Sequence, residues 1–124
     1  MDLAIVIPVF NEADSIAPLL DEIDAVLGGR SGCDILVVDD GSSDATAAVL
    51  EECCERYPQL RVLRHAVCLG QSAAIVSGVN AAQRNWIATL DGDGQNDPAD
   101  IPRLYDVIRC SSERVWLVNG YRRN

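Results

Sequence analysis

The sequence predicts an α/β fold of three layers, in which helices cover both faces of a mostly parallel central sheet. Short, continuously apolar segments such as residues 3–9 and 35–38 alternate along the chain with amphipathic segments. Strands that are apolar on both faces are typical of parallel sheets buried between helices. Polar clusters directly follow three of the apolar segments, and ligands bind at these carboxyl ends of parallel strands.

The first strand and helix are predicted from residues 3–27. Residues 3–9 predict a buried strand, with Pro8 near its end, where no ladder hydrogen bond is needed. Helical spacing of apolar residues predicts the helix that follows, capped by Asp14 or Ser15 and ended by Gly28 and Gly29. The apolar positions of this helix are Ile16, Leu19, Leu20, Ile23, Val26 and Leu27.

The middle of the chain repeats the alternation. Residues 33–38 predict a second buried strand, and a helix follows over roughly residues 44–56, capped by Ser42 or Ser43. Residues 60–64 predict a short third strand. The first three strands therefore come at the spacing expected of parallel strands joined by helices.

The last part of the chain predicts two further helix–strand units. Residues 71–82 predict a helix whose apolar face is formed by Ile75, Val79 and Ala82, and a strand follows over residues 86–90. Asp97 and Pro98 predict the N-cap and first position of the next helix. Residues 115–119 predict a final strand.

Composition describes one globular domain and excludes several classes of function. The chain has 124 residues and is 48% apolar, but its longest apolar runs are shorter than the ~20 residues of a membrane-spanning helix. A net charge of −9 argues against nucleic acid as a partner. The absence of lysine excludes P-loop and Schiff-base chemistry. Five cysteines without C-x-x-C spacing predict reduced thiols in a cytoplasmic protein.

An acidic loop over residues 89–98 is the strongest chemical signal. Because alternate side chains of an extended segment point the same way, Asp91, Asp93 and Gln95 can converge. Such oxygen ligands suit Mg²⁺ or Mn²⁺, which proteins share with substrate phosphates. A solvated turn that ends in a helix cap is the simpler alternative. An EF-hand is excluded, because Pro102 stands where the calcium-binding Glu is required.

Five motifs, in order along the chain, resemble family 2 glycosyltransferases of the GT-A fold. They are IPVFNE at residues 7–12, VDDGSSDAT at 38–46, CLGQSAA at 68–74, LDGDGQNDP at 90–98 and GYR at 120–122. The set most resembles the branch that includes dolichol-phosphate mannose synthase and the bacterial polyprenyl-phosphate sugar transferases. The predicted sheet is then the nucleotide-binding, Rossmann-like half of a GT-A fold.

The resemblance implies a binding site for the nucleoside of a UDP- or GDP-sugar donor. Pro8 and Phe10 would offer apolar faces for stacking, and Glu12 would accept a hydrogen bond from the base or a hydroxyl group. Asp39 or Asp40 would accept from the base imino group or the ribose, since an ionised carboxylate is an acceptor only.

The resemblance also implies a metal site and an inverting transfer. Asp91 and Asp93, with Gln95 as an added ligand, would hold Mg²⁺ or Mn²⁺ on the donor diphosphate. Asp93 and Arg122 are the implied catalytic residues, with Arg122 facing the phosphate of a polyprenyl-phosphate acceptor. Such a lipid phosphate is already ionised, so a dedicated base is dispensable. The expected setting is cell-envelope or lipid-linked sugar synthesis at the cytoplasmic face of the membrane.

The catalytic domain of this family is larger, so residues 1–124 are expected to be one donor-binding domain from a longer enzyme. A non-catalytic module that binds nucleoside diphosphates is the alternative function. Self-association through residues 115–119 is a further expectation, since exposed sheet edges invite pairing.

Simpler roles are open for several of these residues. Asp39 and Asp40 fit a turn before a capped helix, or the acidic pocket of a receiver-like domain, although that family also uses a lysine. Glu12 fits a loop position, Phe10 a core position and Arg122 a surface position. The single histidine, His65, is predicted to be structural or at the surface, and Trp86 and Trp116 are predicted to be core or sheet-face residues.

Overall fold

The computed structural model describes residues 1–28, 30–111 and 117. In these ranges strands and helices alternate, as predicted. The elements are β1 (Leu3–Val9), α1 (Ile16–Leu27), β2 (Cys33–Asp39), α2 (Thr46–Arg56), β3 (Leu60–Arg64), α3 (Gln71–Ala81), β4 (Trp86–Thr89) and α4 (Asp100–Cys110). Apart from Leu117, the predicted strand over residues 115–119 lies outside the described residues, as does Gly29. No helix of the described ranges is long and apolar enough to cross a membrane.

The four described strands form one parallel sheet in the order β3-β2-β1-β4. β1 is therefore central, and its last residue, Val9, pairs with Asp39 at the end of β2. Asp39 in turn pairs with Arg64 at the end of β3. The carboxyl ends of these strands thus lie at the same edge of the sheet, where the polar clusters begin.

Helices cover both faces of the sheet, which confirms the three-layer prediction. Ile5 and Ile7 of β1 pack in a core with apolar residues of α1, α2 and α4, whereas Ala4 and Val6 face the α3 side. All seven residues of β1 are buried, and burying one large aliphatic side chain contributes ~1.5–3 kcal/mol. The strand that leads into the predicted site is therefore the most firmly held element.

Helix α3 packs on the sheet through small residues, which corrects the predicted apolar face. Ala74 and Gly78 are its buried residues, whereas Val79 is 40% exposed. A Cβ atom at residue 78 would lie 2.4 Å from Val6 Cγ1. The helix backbone approaches the sheet so closely that no side chain fits at this position.

The predicted cap of α2 is also wrong. The helix begins at Thr46, and neither Ser42 nor Ser43 caps it. The Ser42 hydroxyl instead accepts a hydrogen bond from the Asn11 N–H at 2.9 Å, so it joins two loops. Asp44 accepts from the Thr46 N–H at 2.9 Å and occupies the role predicted for a serine.

Two further helix starts differ in detail from the prediction. Ser15 is the N-cap residue of α1, but its side chain makes no capping hydrogen bond. Helix α4 begins at Asp100, two residues after Pro98. The Asp97 carboxylate accepts from the Ala99 N–H at 3.0 Å and closes a turn before the helix.

Replacement of Gly78 by alanine is expected to destabilise the chain by about 1–3 kcal/mol through overpacking against Val6. The sign of the change in the free energy of unfolding is diagnostic, because replacing glycine by alanine in an uncrowded helix stabilises a protein by up to about 1 kcal/mol. Urea unfolding followed by circular dichroism measures the difference. Asn80→Ala, on an exposed position of the same helix, is the control and is expected to leave stability unchanged or slightly raised. An equal stabilisation by both variants would contradict the close approach of α3.

Candidate functional site

A cleft of about 360 Å³ lies at the carboxyl end of the sheet. Its lining residues come from the end of β1, from the loops that follow β1, β2 and β4, and from the start of α3. They are Pro8, Val9, Phe10, Glu12, Asp40, Gln71, Asp91, Gly92 and Asp93. Most of the predicted site residues thus come together, but Asp39 and Gln95 do not line this cleft, and Arg122 lies outside the described residues.

The loop after β1 presents one apolar and one acidic side chain to the cleft. Phe10 is 46% exposed, so it is not a core residue. The Glu12 carbonyl accepts hydrogen bonds from the N–H groups of Ser15 and Ile16 and so begins α1. The Glu12 side chain is left to line the cleft. Phe10 is therefore not the core residue of the alternative interpretation, and both side chains lie at the cleft.

Asn11 connects this loop to the one after β2, a role that the sequence analysis missed. Its backbone has a φ of 53°, a left-handed conformation that asparagine tolerates better than most residues. Its side-chain oxygen accepts from the N–H groups of Ser43 at 2.9 Å and Asp44 at 3.3 Å. The two loops therefore form one continuous wall.

Asp39 is fully buried at the end of β2. Its Oδ1 atom accepts from the Ser42 N–H at 3.0 Å. Its Oδ2 atom is buried and has no hydrogen-bond partner among the described residues, and the nearest cation, Arg64 Nε, lies 3.8 Å away. A buried unpaired oxygen costs about 1–3 kcal/mol, so it needs a specific reason to be there.

Asp40, the adjacent residue, is saturated with hydrogen bonds from the protein. Its carboxylate accepts from the N–H groups of Leu69 and Gly70, both at 2.8 Å, and from the Cys68 thiol at 3.4 Å. His65 Nδ1 lies 2.8 Å from the same carboxylate. Burial alone would raise the pKa of Asp40, but hydrogen bonds from these four groups outweigh it and lower the pKa to about 2. Asp40 therefore remains charged and fixes the loop before α3.

His65 joins this cluster to helix α3, which confirms its predicted structural role. Its Nε2 atom lies 2.8 Å from Ser77 Oγ. The contacts therefore run from Asp40 through His65 to Ser77, which is the order of acid, base and nucleophile in a catalytic triad. Ser77 does not line the cleft. It also lies within a helix, where backbone N–H groups are already bonded and cannot form an oxyanion hole. The trio ties a loop to a helix.

The acidic loop after β4 holds Asp91 and Asp93 at the cleft. Asn96 accepts from the Asp91 N–H at 2.8 Å, and Asp93 Oδ1 accepts from the Gln95 N–H at 3.0 Å. Gln71, which the sequence analysis did not single out, donates its amide to Asp91 Oδ1 at 3.1 Å. The second oxygen of each carboxylate receives no hydrogen bond from the described residues.

The donor set at Asp91 and Asp93 fits a hard divalent cation that is shared with a ligand. Within the described residues, no group of three or more His, Cys, Asp or Glu side chains could hold a metal ion by itself. Magnesium is typically bound by one or two carboxylates, with phosphate oxygens and water completing its shell. Two carboxylates with free oxygens provide the protein's part of such a site.

The protein-family model described as glycosyl transferase family 2 matches residues 4–124. The chain belongs to this family. It is 36% identical over 126 residues to a dodecaprenyl-phosphate galacturonate synthase from Rhizobium johnstonii, and the match covers 100% of this chain and 37% of that protein. It is 42% identical over 140 residues to an undecaprenyl-phosphate 4-deoxy-4-formamido-L-arabinose transferase from Edwardsiella ictaluri, covering 95% and 42%.

A third curated relative agrees with this assignment, and two solved structures share the fold. A dolichol-phosphate mannosyltransferase from Pyrococcus furiosus is 33% identical over 113 residues, covering 91% of this chain and 32% of that protein. The mannosyltransferase PcManGT from Pyrobaculum calidifontis, in complex with GDP-Man and Mn²⁺, superposes with a TM-score of 0.69 at 24% identity, covering 74% and 27%. For residues 1–349 of S. aureus TarS the TM-score is 0.76 at 19% identity, covering 88% and 32%.

These structures confirm the GT-A fold of this family 2 chain. The chain spans 32% to 42% of the lengths of the three curated relatives named here.

The Asp40 cluster predicts a dependence of stability on pH. The Asp40 pKa is about 2 in the folded chain, compared with an ordinary value of 3.8. The ionised Asp40 carboxylate therefore makes its full contribution to the free energy of unfolding above about pH 4. About 2 kcal/mol of that free energy is lost as the pH falls through 4 towards 2. Asp40→Asn is expected to be less stable than the parent at pH 7 and to lack this part of the decline.

Urea unfolding at several pH values between 2 and 7 measures both effects. Asp106→Asn, which removes one exposed charge from α4, is the control. Its stability is expected to depend on pH in the same way as that of the parent. Parallel pH curves for the parent and Asp40→Asn would mean that Asp40 does not hold the loop before α3.

Proposed function

We propose that this chain binds a UDP- or GDP-sugar donor together with Mg²⁺ or Mn²⁺. In this proposal the chain acts as part of a family 2 glycosyltransferase, which transfers the sugar, with inversion of the anomeric centre, to a polyprenyl phosphate. One observation carries the metal-dependent part. Four carboxylates, those of Glu12, Asp40, Asp91 and Asp93, line the cleft, and no basic residue of the described ranges lines it with them. A diphosphate would be repelled from such a cleft unless a cation entered with it.

The nucleoside end of the donor is assigned to the loops after β1 and β2. Pro8 and Phe10 offer apolar surface for a base, and the Glu12 carboxylate can accept from a base N–H or a hydroxyl group. Asp39 stays in the proposal through the family resemblance, because its unpartnered Oδ2 atom is buried and Asp39 does not line the cleft. Asp40, whose acceptor positions are already used, acts in this proposal by holding the wall of the cleft.

The diphosphate end is assigned to the loop after β4. Asp91 and Asp93 would hold the cation through their free oxygens, and Gln95 stays a proposed further ligand. When bound, the cation supplies Lewis-acid stabilisation of the charge on the departing nucleoside diphosphate. Asp93 is therefore proposed to be catalytic as well as metal-binding.

The acceptor is proposed from the names of the relatives, which act on dodecaprenyl, undecaprenyl and dolichol phosphates. A phosphate of this kind is ionised near neutral pH and needs no base to become a nucleophile. Arg122 is proposed to pair with it, since a guanidinium matches phosphate geometry. The expected place of reaction is the cytoplasmic face of a membrane.

Calorimetric titration with UDP and with GDP, each with and without Mn²⁺, tests donor binding. We expect binding of at least one nucleotide that requires the cation. Asp93→Asn is expected to weaken cation-dependent binding by more than about tenfold, because even partners of metal ligands contribute that much. Asp106→Asn, which removes the same charge far from the cleft, is the matched control. Binding of neither nucleotide by the parent, or equal binding by Asp93→Asn, would sink the metal-site proposal.

A transfer assay with a polyprenyl phosphate separates an enzyme from a binding module. Formation of the lipid-linked sugar that depends on Asp93 supports transfer by these 124 residues. Cation-dependent nucleotide binding without transfer supports the binding-module alternative.

Phe10→Ala is expected to weaken nucleotide binding about five- to tenfold, because it removes the stacking surface for the base. The dependence of binding on Mn²⁺ concentration should not change, since the Phe10 ring has no oxygen or nitrogen to offer a cation. Phe10→Tyr keeps the ring and is expected to bind like the parent. Titrations at saturating Mn²⁺ check this, and an unchanged affinity in Phe10→Ala would place the base elsewhere.

A further inference from the structure

Gln71 is the one uncharged polar side chain of the cleft wall that contacts the acidic loop. Its amide nitrogen donates to Asp91 Oδ1 at 3.1 Å, and both residues line the cleft. Gln71 is separated from Asp91 by 20 positions in sequence. The contact therefore connects helix α3 to the end of β4.

The backbone of Gln71 is held firmly although its side chain is exposed. It is the first residue of α3, and the preceding Gly70 has a φ of 101° and donates its N–H to Asp40. The Gly70 carbonyl accepts from the Ala74 N–H at 3.1 Å and closes the first turn of the helix. The amide of Gln71 therefore starts from a fixed point when it reaches Asp91.

The hydrogen bond makes the two oxygens of Asp91 unequal towards a cation. The Gln71 amide occupies one lone pair of Oδ1 and orients the carboxylate, whereas Oδ2 receives no donor from the described residues. A carboxylate that presents mainly one oxygen suits Mg²⁺ and Mn²⁺, for which short octahedral coordination is usual. Ca²⁺ takes more and longer oxygen contacts and often binds both oxygens of a carboxylate.

We propose that Gln71 is a positioning residue that determines cation specificity: its amide holds Asp91 in single-oxygen coordination and so favours Mg²⁺ or Mn²⁺ over Ca²⁺. The inference rests on the cation site of the proposed function. A neutral amide is suited to this role, because it orients the carboxylate without cancelling the charge that attracts the ion. A lysine or arginine in its place would compete with the cation for Asp91.

The test compares Mn²⁺ and Ca²⁺ affinities of the 124-residue chain in the presence of UDP or GDP. Calorimetry measures both cations, and electron paramagnetic resonance of free Mn²⁺ provides a second readout. Gln71→Leu keeps the side-chain size but removes the donor. It is expected to weaken Mn²⁺ binding about tenfold while Ca²⁺ binding stays equal or becomes tighter. Gln71→Glu adds a carboxylate and is expected to shift the preference further towards Ca²⁺.

A matched control exists at the opposite end of the sheet. Gln59 also donates its amide to an aspartate, Asp24 Oδ1, at 3.3 Å, and Gln59→Leu removes that bond without touching the cleft. We expect Gln59→Leu to keep the Mn²⁺-to-Ca²⁺ ratio of the parent. Urea unfolding of the Gln71 variants should match the parent, since a loss that follows stability would indicate a merely structural role.

The outcomes distinguish this inference from the proposal on which it rests. A parent chain that binds nucleotide with Mn²⁺, together with a lowered Mn²⁺-to-Ca²⁺ ratio in Gln71→Leu alone, supports the positioning role. The same parent behaviour with an unchanged ratio in Gln71→Leu overturns this inference and leaves the proposed function standing. A parent without cation-dependent binding overturns both.

Discussion

The carboxylate of Asp40 is the constraint on which the cleft depends. It stands at the end of β2 and gathers the Leu69 and Gly70 N–H groups, the Cys68 thiol and His65 around one buried charge. A buried charge is costly unless it is surrounded by donors. Here the donors lie in a loop with no strand or helix of its own, so the charge and the loop stabilise each other. The start of α3 follows from this arrangement.

Side-chain oxygens hold each loop of the cleft in a similar way. Asn11 binds N–H groups of the loop after β2, and Asn96 binds the Asp91 N–H in the loop after β4. Loops at a sheet end leave backbone N–H groups without ladder partners, and short acidic and amide side chains satisfy them. The acidic character of this face therefore serves two purposes. Some carboxylates fix loops, and others keep an oxygen that receives no donor from the described residues.

The sequence predicted the fold well because continuous apolar strands need no tertiary information to be recognised. It could not predict which face of α3 is buried, since the close approach at Gly78 depends on the position of Val6 in another element. It placed Asp39 and Asp40 together as alternatives, because it could not show that β2 ends at Asp39 and that Asp40 turns into hydrogen bonds with the loop before α3. Gln71 lies in the CLGQSAA motif, but the sequence assigned it no role, because a neutral residue acquires one only through its contact with Asp91.

The difference between carboxylates that fix loops and carboxylates that keep free oxygens explains why a cation should matter for stability as well as for binding. Glu12, Asp91 and Asp93 line one cleft, and no basic residue in the part of the chain that the structure describes lines it with them, so solvent and salt screen their mutual repulsion. A bound cation with a nucleoside diphosphate would replace that repulsion with attraction and would bind the folded chain alone. By linkage, such a ligand stabilises the fold in proportion to the logarithm of its concentration above its dissociation constant. The ligand stabilises least the loops that a buried carboxylate already fixes. It stabilises most the loop after β4, whose carboxylates keep free oxygens.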